Sequence, residues 1–230
     1  GTFGVEATLG TLIAPGQRTL VLENGAYGKR IVTILERIGH QVSVLRWPED
    51  QQVDPTALDA ALREDAAIEH VVVVHCETTT GILNDMVAIG RVTKAHKRRL
   101  IIDGMSAFGA IPIDGDSVPF DALIASSNKC FEGVPGIAFA LIARQWLELA
   151  EGNAHSLALD LYEQWRGLEA NGQWRFTPPT HVLAAFDQAL AEHREEGGVA
   201  ARHRRYGGNR DILVQGMREL GFETLLADSV

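Results

Sequence analysis

The sequence predicts an α/β fold in which a mostly parallel sheet lies between layers of helices. Through residues 1–145, short apolar runs of strand length alternate with longer segments of helical periodicity. This alternation is typical of strands joined by crossover helices, which build a parallel sheet covered on both faces. In addition, polar and charged side chains follow directly after several apolar runs, where buried strands are expected to end. Ligands bind at that edge of an open α/β sheet.

The individual elements follow from these patterns. A helical pattern begins directly after Gly1, and apolar residues at helical spacing predict further helices at 26–38, 55–63 and 86–96. Asp54 and Pro55 mark the start at 55, because aspartate caps free amides and proline is tolerated in the first turn. The apolar runs predict six strands, at 19–22, 41–45, 70–74, 100–103, 122–125 and 137–143.

From residue 144 onward the pattern is almost wholly helical. We predict helices at 145–151, 156–170, 179–196 and 199–220, followed by a strand at 221–225. This change of pattern divides the chain into a large α/β domain at 1–175 and a second region at 176–230. The second region is predicted to hold interdomain helices and the start of a small C-terminal α+β domain.

Composition disfavours several classes of partner. The net charge of −9 argues against a surface for nucleic acid or anionic membranes. The sequence shows no secretory signal, and no apolar stretch approaches the roughly 20 residues that a membrane span needs. Two cysteines, Cys76 and Cys130, give no disulfide framework, which fits a reducing compartment. We therefore expect a cytoplasmic protein without membrane or nucleic-acid partners.

Two charged residues stand where neighbouring strands are predicted to end. Asp103 closes the apolar run 100–102, and Lys129 follows the run 122–125 within a small, polar loop. A lysine beside a crevice can be desolvated, which favours its use as a nucleophile. A pyridoxal-phosphate enzyme needs this pair, because its lysine forms a Schiff base and its carboxylate keeps the pyridine nitrogen protonated. The alternatives at this point are a surface lysine and an aspartate that only caps a turn.

Other polar segments fit a ligand site less specifically. Residues 75–81, His-Cys-Glu-Thr-Thr-Thr-Gly, follow an apolar run, and their threonines suit a polar ligand or a hydroxyl-rich turn. A metal site at His75, Cys76 and Glu77 fails on spacing, because successive strand side chains point to opposite faces. Tyr27 can stack on a planar ring, or pack against its own loop.

Two enzyme classes lack their sequence markers. In residues 104–109, Gly-Met-Ser-Ala-Phe-Gly, the second glycine falls one position too late for the G-x-S-x-G nucleophile elbow of a serine hydrolase. The chain also has no phosphate-binding P-loop, and no G-x-G-x-x-G follows a strand. Hydrolase and nucleotide-binding functions are therefore disfavoured.

Five separate motifs, in the same order, resemble a known family. They are the segments 24–28, 75–81, 102–109, 126–129 and 176–181. Together they are similar to the 2-aminoethylphosphonate–pyruvate aminotransferases, which are class V, fold-type I pyridoxal-phosphate enzymes. The resemblance covers essentially the whole chain. It implies the large domain of such a transferase, with a seven-stranded type of sheet between helices.

The resemblance implies a role for each matching residue around the cofactor. Lys129 resembles the lysine that forms the Schiff base with pyridoxal 5'-phosphate, and Asp103 resembles the partner of the pyridinium nitrogen. Tyr27 takes the place of the aromatic residue that stacks on the ring. Thr78 looks like the hydroxyl contact near the ring oxygen.

The phosphate contacts are implied in the same way. Gly1, Thr2 and Ser127 resemble the phosphate cradle, and free amides at a helix start attract phosphate in any case. Thr177 matches a residue that reaches the cofactor phosphate of the neighbouring subunit. The resemblance therefore implies a homodimer with shared active sites.

The implied reaction transfers the amino group of 2-aminoethylphosphonate to pyruvate, giving phosphonoacetaldehyde and alanine. The alternatives are another class V aminotransferase, acting on alanine, serine or glyoxylate, and a non-catalytic α/β domain in which Asp103 and Lys129 are structural. The resemblance also implies a segment before Gly1 and a complete C-terminal small domain, both outside residues 1–230. In the family, an arginine of that domain grips the acidic group of the substrate.

Overall fold

Six strands form one sheet in the computed structural model, which describes residues 1–228. The sheet order is β2-β1-β3-β4-β5-β6, in which β6 alone runs antiparallel to its neighbour. The strands are β1 (Arg18–Glu23), β2 (Gln41–Arg46), β3 (Ile68–Val74), β4 (Arg99–Asp103), β5 (Ala122–Ser126) and β6 (Ala138–Ile142). The parallel order brings the C-terminal ends of β1, β3, β4 and β5 to one edge.

Eight helices accompany the sheet within residues 1–228. Three of them begin at an aspartate whose carboxylate accepts a backbone amide of the first turn, namely Asp54, Asp85 and Asp160. No helix in this part of the chain is both long and apolar enough to cross a membrane. The helices are α1 (Thr2–Leu12), α2 (Ala26–Arg37), α3 (Pro55–Glu64), α4 (Met86–Ala95), α5 (Arg144–Glu148), α6 (Leu161–Asn171), α7 (Thr180–Glu196) and α8 (Gly198–Glu219).

The sheet separates two apolar layers. Along the strands, Val72 and Ile101 belong to the layer that contains α1 and α2, whereas Val71, Val73 and Leu100 belong to the layer with α3 and α4. Successive strand residues point to opposite faces, so these fully apolar runs are buried on both sides. Helices on both faces thus hold the sheet edge in place.

Most of the predicted elements are confirmed. All six predicted strands form, and the α/β class is correct. The resemblance implies a seven-stranded type of sheet, of which the described residues contribute six strands. The predicted helix at 156–170 begins only at Leu161, because Asp160 caps it there and Ser156 accepts the Leu159 amide in a preceding turn.

The predicted strand at 221–225 is wrong. These residues form a turn followed by irregular structure, and Phe222 and Leu225 are 58% and 73% exposed. A strand is stable only when its backbone groups pair with a neighbour. Within residues 1–228 this segment pairs with no strand.

Candidate active site

A cleft of about 170 Å³ opens where β4 and β5 end, beside the first turns of α1 and α2. Five of the eight predicted site residues line it, which are Gly1, Thr2, Tyr27, Asp103 and Lys129. Asp103 and Lys129 meet there because β4 and β5 are parallel neighbours, with Asp103 opposite Ile124. A second cavity of about 480 Å³ shares only Ser106 with the cleft and contains none of these eight residues.

Asp103 is a buried carboxylate at the end of β4. It is 4% exposed, and within residues 1–228 the only hydrogen-bond donor to its side-chain carboxylate is the Met105 amide, at 3.0 Å. Burial raises the pKa of Asp103 to about 6, and the nearby Glu77 carboxylate acts in the same direction. A buried carboxylate is stabilised by a cation. The side of Asp103 that faces the cleft therefore suits a cationic ligand group.

Glu77 holds the helix that carries Tyr27. It lies just beyond β3 and is fully buried, and its two carboxylate oxygens accept the backbone amides of Tyr27 (3.1 Å) and Gly28 (2.7 Å). A carboxylate at a helix N-terminus satisfies free amides and interacts favourably with the helix dipole. Gly25 makes this contact possible, since a Cβ there would lie 2.5 Å from Cδ of Glu77.

The first turn of α1 supplies backbone amides without an intrahelical partner to the cleft. Gly1 precedes the helix, and the intrahelical ladder starts when Val5 N–H donates to the Gly1 carbonyl. A Cβ at Gly4 would lie 2.6 Å from Cβ of Ala138, so glycine lets this turn pack tightly against β6. Free amides at a helix start bind phosphate well.

Arg30 of α2 lines the same cleft and was not singled out from the sequence. Its guanidinium donates to Oγ1 of Thr2 at 3.3 Å and lies 4.6 Å from the centre of the Tyr27 ring. The contact joins the first turns of α1 and α2. It also places a positive charge next to the α1 amides, where an anion is favoured.

The loop that carries Lys129 places Ser127 outside the cleft lining. Ser127 is fully buried, its hydroxyl donates to the Val134 carbonyl at 2.7 Å, and its amide donates to Ile137. Ser127 therefore has no free donor for a phosphate. Ser126 lines the cleft instead, and its buried hydroxyl has no partner within the described chain.

Two further predicted residues lie outside the cleft lining. Thr78 is exposed, and its hydroxyl pairs at 2.6 Å with that of Ser106, which does line the cleft. Thr177 is exposed in the segment between α6 and α7. In contrast, Asn128 lines the cleft beside Lys129, although no separate role for it was predicted.

The residues of the cleft fit pyridoxal phosphate by their chemistry. Asp103 offers a buried carboxylate for a cationic ring nitrogen, and Tyr27 offers an aromatic face. Lys129 supplies an amine, and the unpartnered hydroxyl of Ser126 supplies a hydrogen-bond donor. These groups surround one cleft that also contains the free amides of the α1 start. The observed donor set thus agrees with the cofactor that the sequence motifs imply.

Comparison with known proteins gives concordant results. The family model described as aminotransferase class-V matches residues 3–229. A curated 2-aminoethylphosphonate–pyruvate transaminase from Pseudomonas fluorescens is 51% identical over all 230 residues, and one from Pseudomonas putida is 51% identical over 226 residues, or 98% of the chain. The chain spans 62% and 61% of the length of these two relatives.

Solved structures share the fold. Pyridoxamine–pyruvate aminotransferase from Mesorhizobium loti superimposes with a TM-score of 0.90 at 26% identity, over 99% of this chain and 59% of that one. Alanine–glyoxylate aminotransferase from a Nostoc species gives a TM-score of 0.90 at 23% identity, over 97% and 59% of the two chains. With a family model that matches nearly every residue and relatives at 51% identity, the chain belongs to the class-V aminotransferase family.

Proposed function

We propose that the full-length protein is a pyridoxal-phosphate-dependent aminotransferase. Its amino donor would be 2-aminoethylphosphonate and its acceptor pyruvate, giving phosphonoacetaldehyde and alanine. One observation carries the chemistry: Asp103 and Lys129 line a single cleft that begins at the α1 N-terminus. The choice of substrates rests on the relatives that share about half of the residues and bear this name.

The residues around the ring have distinct tasks. Lys129 would hold the cofactor covalently through Nζ and, once the substrate amine displaces it, would move a proton between substrate carbon and cofactor. Asp103 would keep the ring nitrogen protonated, and Tyr27 would cover one ring face. When bound, pyridoxal phosphate supplies an electron sink that stabilises negative charge at the reacting carbon.

The phosphate would bind at the N-terminus of α1. The α1 amides at Gly1 and Thr2 and the hydroxyl of Ser126 offer hydrogen bonds, and Arg30 offers a positive charge. Ser127 would stabilise the loop that carries Lys129 through its hydrogen bonds to the carbonyls of Val134 and Ile137.

The remaining proposals concern the assembly. Because Thr177 is exposed and outside the cleft lining of its own chain, it is accessible to a neighbouring subunit, as the family resemblance implies. We therefore propose a homodimer with shared sites. We also propose a cytoplasmic location, as the composition leads us to expect. We keep the division into a large domain at 1–175 and, at 176–230, interdomain helices with the start of a small domain.

A substrate panel tests the choice of donor. The full-length protein, loaded with pyridoxal phosphate, is given pyruvate together with 2-aminoethylphosphonate or serine. In a parallel series it is given glyoxylate together with 2-aminoethylphosphonate, alanine or serine. The proposal predicts the highest kcat/KM for 2-aminoethylphosphonate with pyruvate. Preference for alanine or serine with glyoxylate would instead assign a different class-V aminotransferase. No turnover with any pair would favour the non-catalytic alternative.

A further inference from the structure

A buried arginine of α8 contacts the loop that carries Lys129. Arg202 is 2% exposed, and its Nη1 donates to the backbone carbonyl of Cys130, the residue after Lys129. Its Nε donates to Glu196 at 2.8 Å, and Nη1 lies 3.5 Å from a carboxylate oxygen of Glu132. One guanidinium therefore joins the end of α7 and the start of α8 to two residues that follow Lys129, Cys130 and Glu132.

The turn itself has a backbone that needs support. Glu132 has φ of 58°, in the left-handed region that a residue with a Cβ seldom adopts. The Glu132 amide donates to the Lys129 carbonyl at 2.8 Å, and the Gly133 amide donates to the Ser127 carbonyl at 2.9 Å. A strained turn persists when its surroundings determine it, and such turns concentrate at functional sites.

A neighbouring arginine makes the same ion pairs without the contact to the loop backbone. Arg205 donates to Glu196 at 2.9 Å and to Glu132 at 2.9 Å, and its side chain is 42% exposed. Within residues 1–228, Arg202 but not Arg205 hydrogen-bonds the Cys130 carbonyl. Substituting each arginine in turn therefore distinguishes the loss of ion pairs from the loss of the hydrogen bond that supports the backbone after Lys129.

We propose that Arg202 is a positioning residue that fixes the backbone at Cys130 and thereby the direction of the Lys129 amine. The inference rests on the proposed function, in which Lys129 reacts with the cofactor. Arg202 is not among the residues that line the cleft, so it acts on Lys129 only through the loop backbone. Small misplacement of a reacting group lowers the rate more than the binding of substrate.

Three variants of the full-length enzyme test this role. Arg202→Met removes the bond to Cys130, Arg202→Lys keeps one charged donor, and Arg205→Met removes comparable ion pairs alone. We measure kcat, KM, visible circular dichroism of the bound cofactor, and amide hydrogen exchange in peptides that span 129–133. Arg202→Met should lower kcat by about 10- to 100-fold with KM changed less than about threefold.

The controls decide the interpretation. Arg202→Lys should recover part of kcat and of the dichroism, and Arg205→Met should stay within about twofold of the wild type in kcat. Equal losses in Arg202→Met and Arg205→Met, or unchanged dichroism and loop exchange in Arg202→Met, would overturn the proposal. If Arg202→Met does not fold, the other two variants decide. The proposal is supported when Arg205→Met keeps full kcat and dichroism while Arg202→Lys shows reduced values. Wild-type values in Arg202→Lys overturn the proposal.

Failure of the proposed function would look different. In that case the wild-type protein itself would not turn over the substrate panel. Hydrogen exchange at 129–133 would still show whether Arg202, and not Arg205, holds the loop.

Discussion

The carboxylate of Glu77 accepts the backbone amide of Gly28 at 2.7 Å, which ties the segment after β3 to the first turn of α2. The second oxygen accepts the amide of Tyr27. These two bonds fix the helix start from which the Tyr27 ring reaches the cleft. The position of an aromatic side chain in the site thus depends on a buried acid two strands away from Lys129 in the sheet order.

Gly25→Ala should disrupt this link. The new Cβ would meet Glu77 Cδ at 2.5 Å, so the carboxylate must leave the helix start. We expect a loss of about 2 kcal/mol in the free energy of unfolding, typical of a lost cap and an overpacked site, together with weaker cofactor binding. Urea unfolding and fluorescence titration of the full-length protein measure these effects.

Gly10→Ala is the matched control. Gly10 lies within α1, and a Cβ there meets only Ile38 Cδ1, at 3.9 Å. Alanine is favoured over glycine in a helix by roughly 0.5–1 kcal/mol, so this variant should be as stable as the wild type or more so. Equal losses in the two variants would show that the Glu77 contact is not the cause.

Asp103→Asn should stabilise the protein without cofactor at neutral pH. Burial raises the pKa of Asp103 from 3.8 to about 6, so the folded state retains a proton that the unfolded chain releases. The free energy of unfolding therefore falls as the pH rises from about 4 to 6, by up to about 3 kcal/mol. Asparagine stays neutral and removes this fall, while its amide oxygen can still accept the Met105 amide.

The same variant should lose activity. A neutral amide does not favour a protonated ring nitrogen, so kcat should fall by about 100-fold or more. Chemical denaturation of the cofactor-free wild type and variant at pH 4, 6 and 8 gives the stability comparison. An apo variant that is less stable than the wild type at pH 8 would contradict the account of Asp103.

Arg30→Ala should weaken binding of the phosphate group. The guanidinium contacts Thr2 and lies at the cleft, and hydrogen bonds from a charged donor are worth about 1.5–3 kcal/mol. We expect at least about a tenfold higher Kd for pyridoxal phosphate. Pyridoxal, which has no phosphate, should bind the wild type and the variant equally.

Lys29→Ala controls for net charge. Lys29 is adjacent in α2 but pairs with Glu49 at 3.4 Å on the exposed side. It should leave both Kd values unchanged. A loss of pyridoxal phosphate affinity as large as that of Arg30→Ala would indicate a general electrostatic effect.

The layers of the fold could be predicted because their signals are local. Apolar runs such as 71–74 and 100–102 are strands buried on both faces, and Asp54 caps the helix that was predicted to start beside it. The segment 221–225 has residue types that favour strands. Whether it pairs with another strand depends on the tertiary structure, which its own sequence does not determine. The prediction failed there for that reason.

Site residues could be predicted where a charged side chain must be buried. They were harder to predict where the geometry of a turn decides which side chain faces the cleft. The sequence singles out Asp103 because an acid after a buried strand needs a partner. The same rule applies to Glu77, which was considered only within a polar segment and as a rejected metal ligand. Ser126 and Ser127 could not be distinguished, since the alternation of side chains ends with β5 at Ser126. α8 is polar around most of its surface, so the sequence does not reveal that Arg202 is its buried arginine.

The central claim is that Lys129 bonds covalently to pyridoxal phosphate in the cleft it shares with Asp103. The direct test is borohydride reduction of the full-length protein loaded with cofactor, followed by mass spectrometry of its peptides. The account predicts one labelled lysine, Lys129, and a Lys129→Ala variant that still binds cofactor but is neither labelled nor active. A label on another lysine, or equal labelling of the variant, would contradict it.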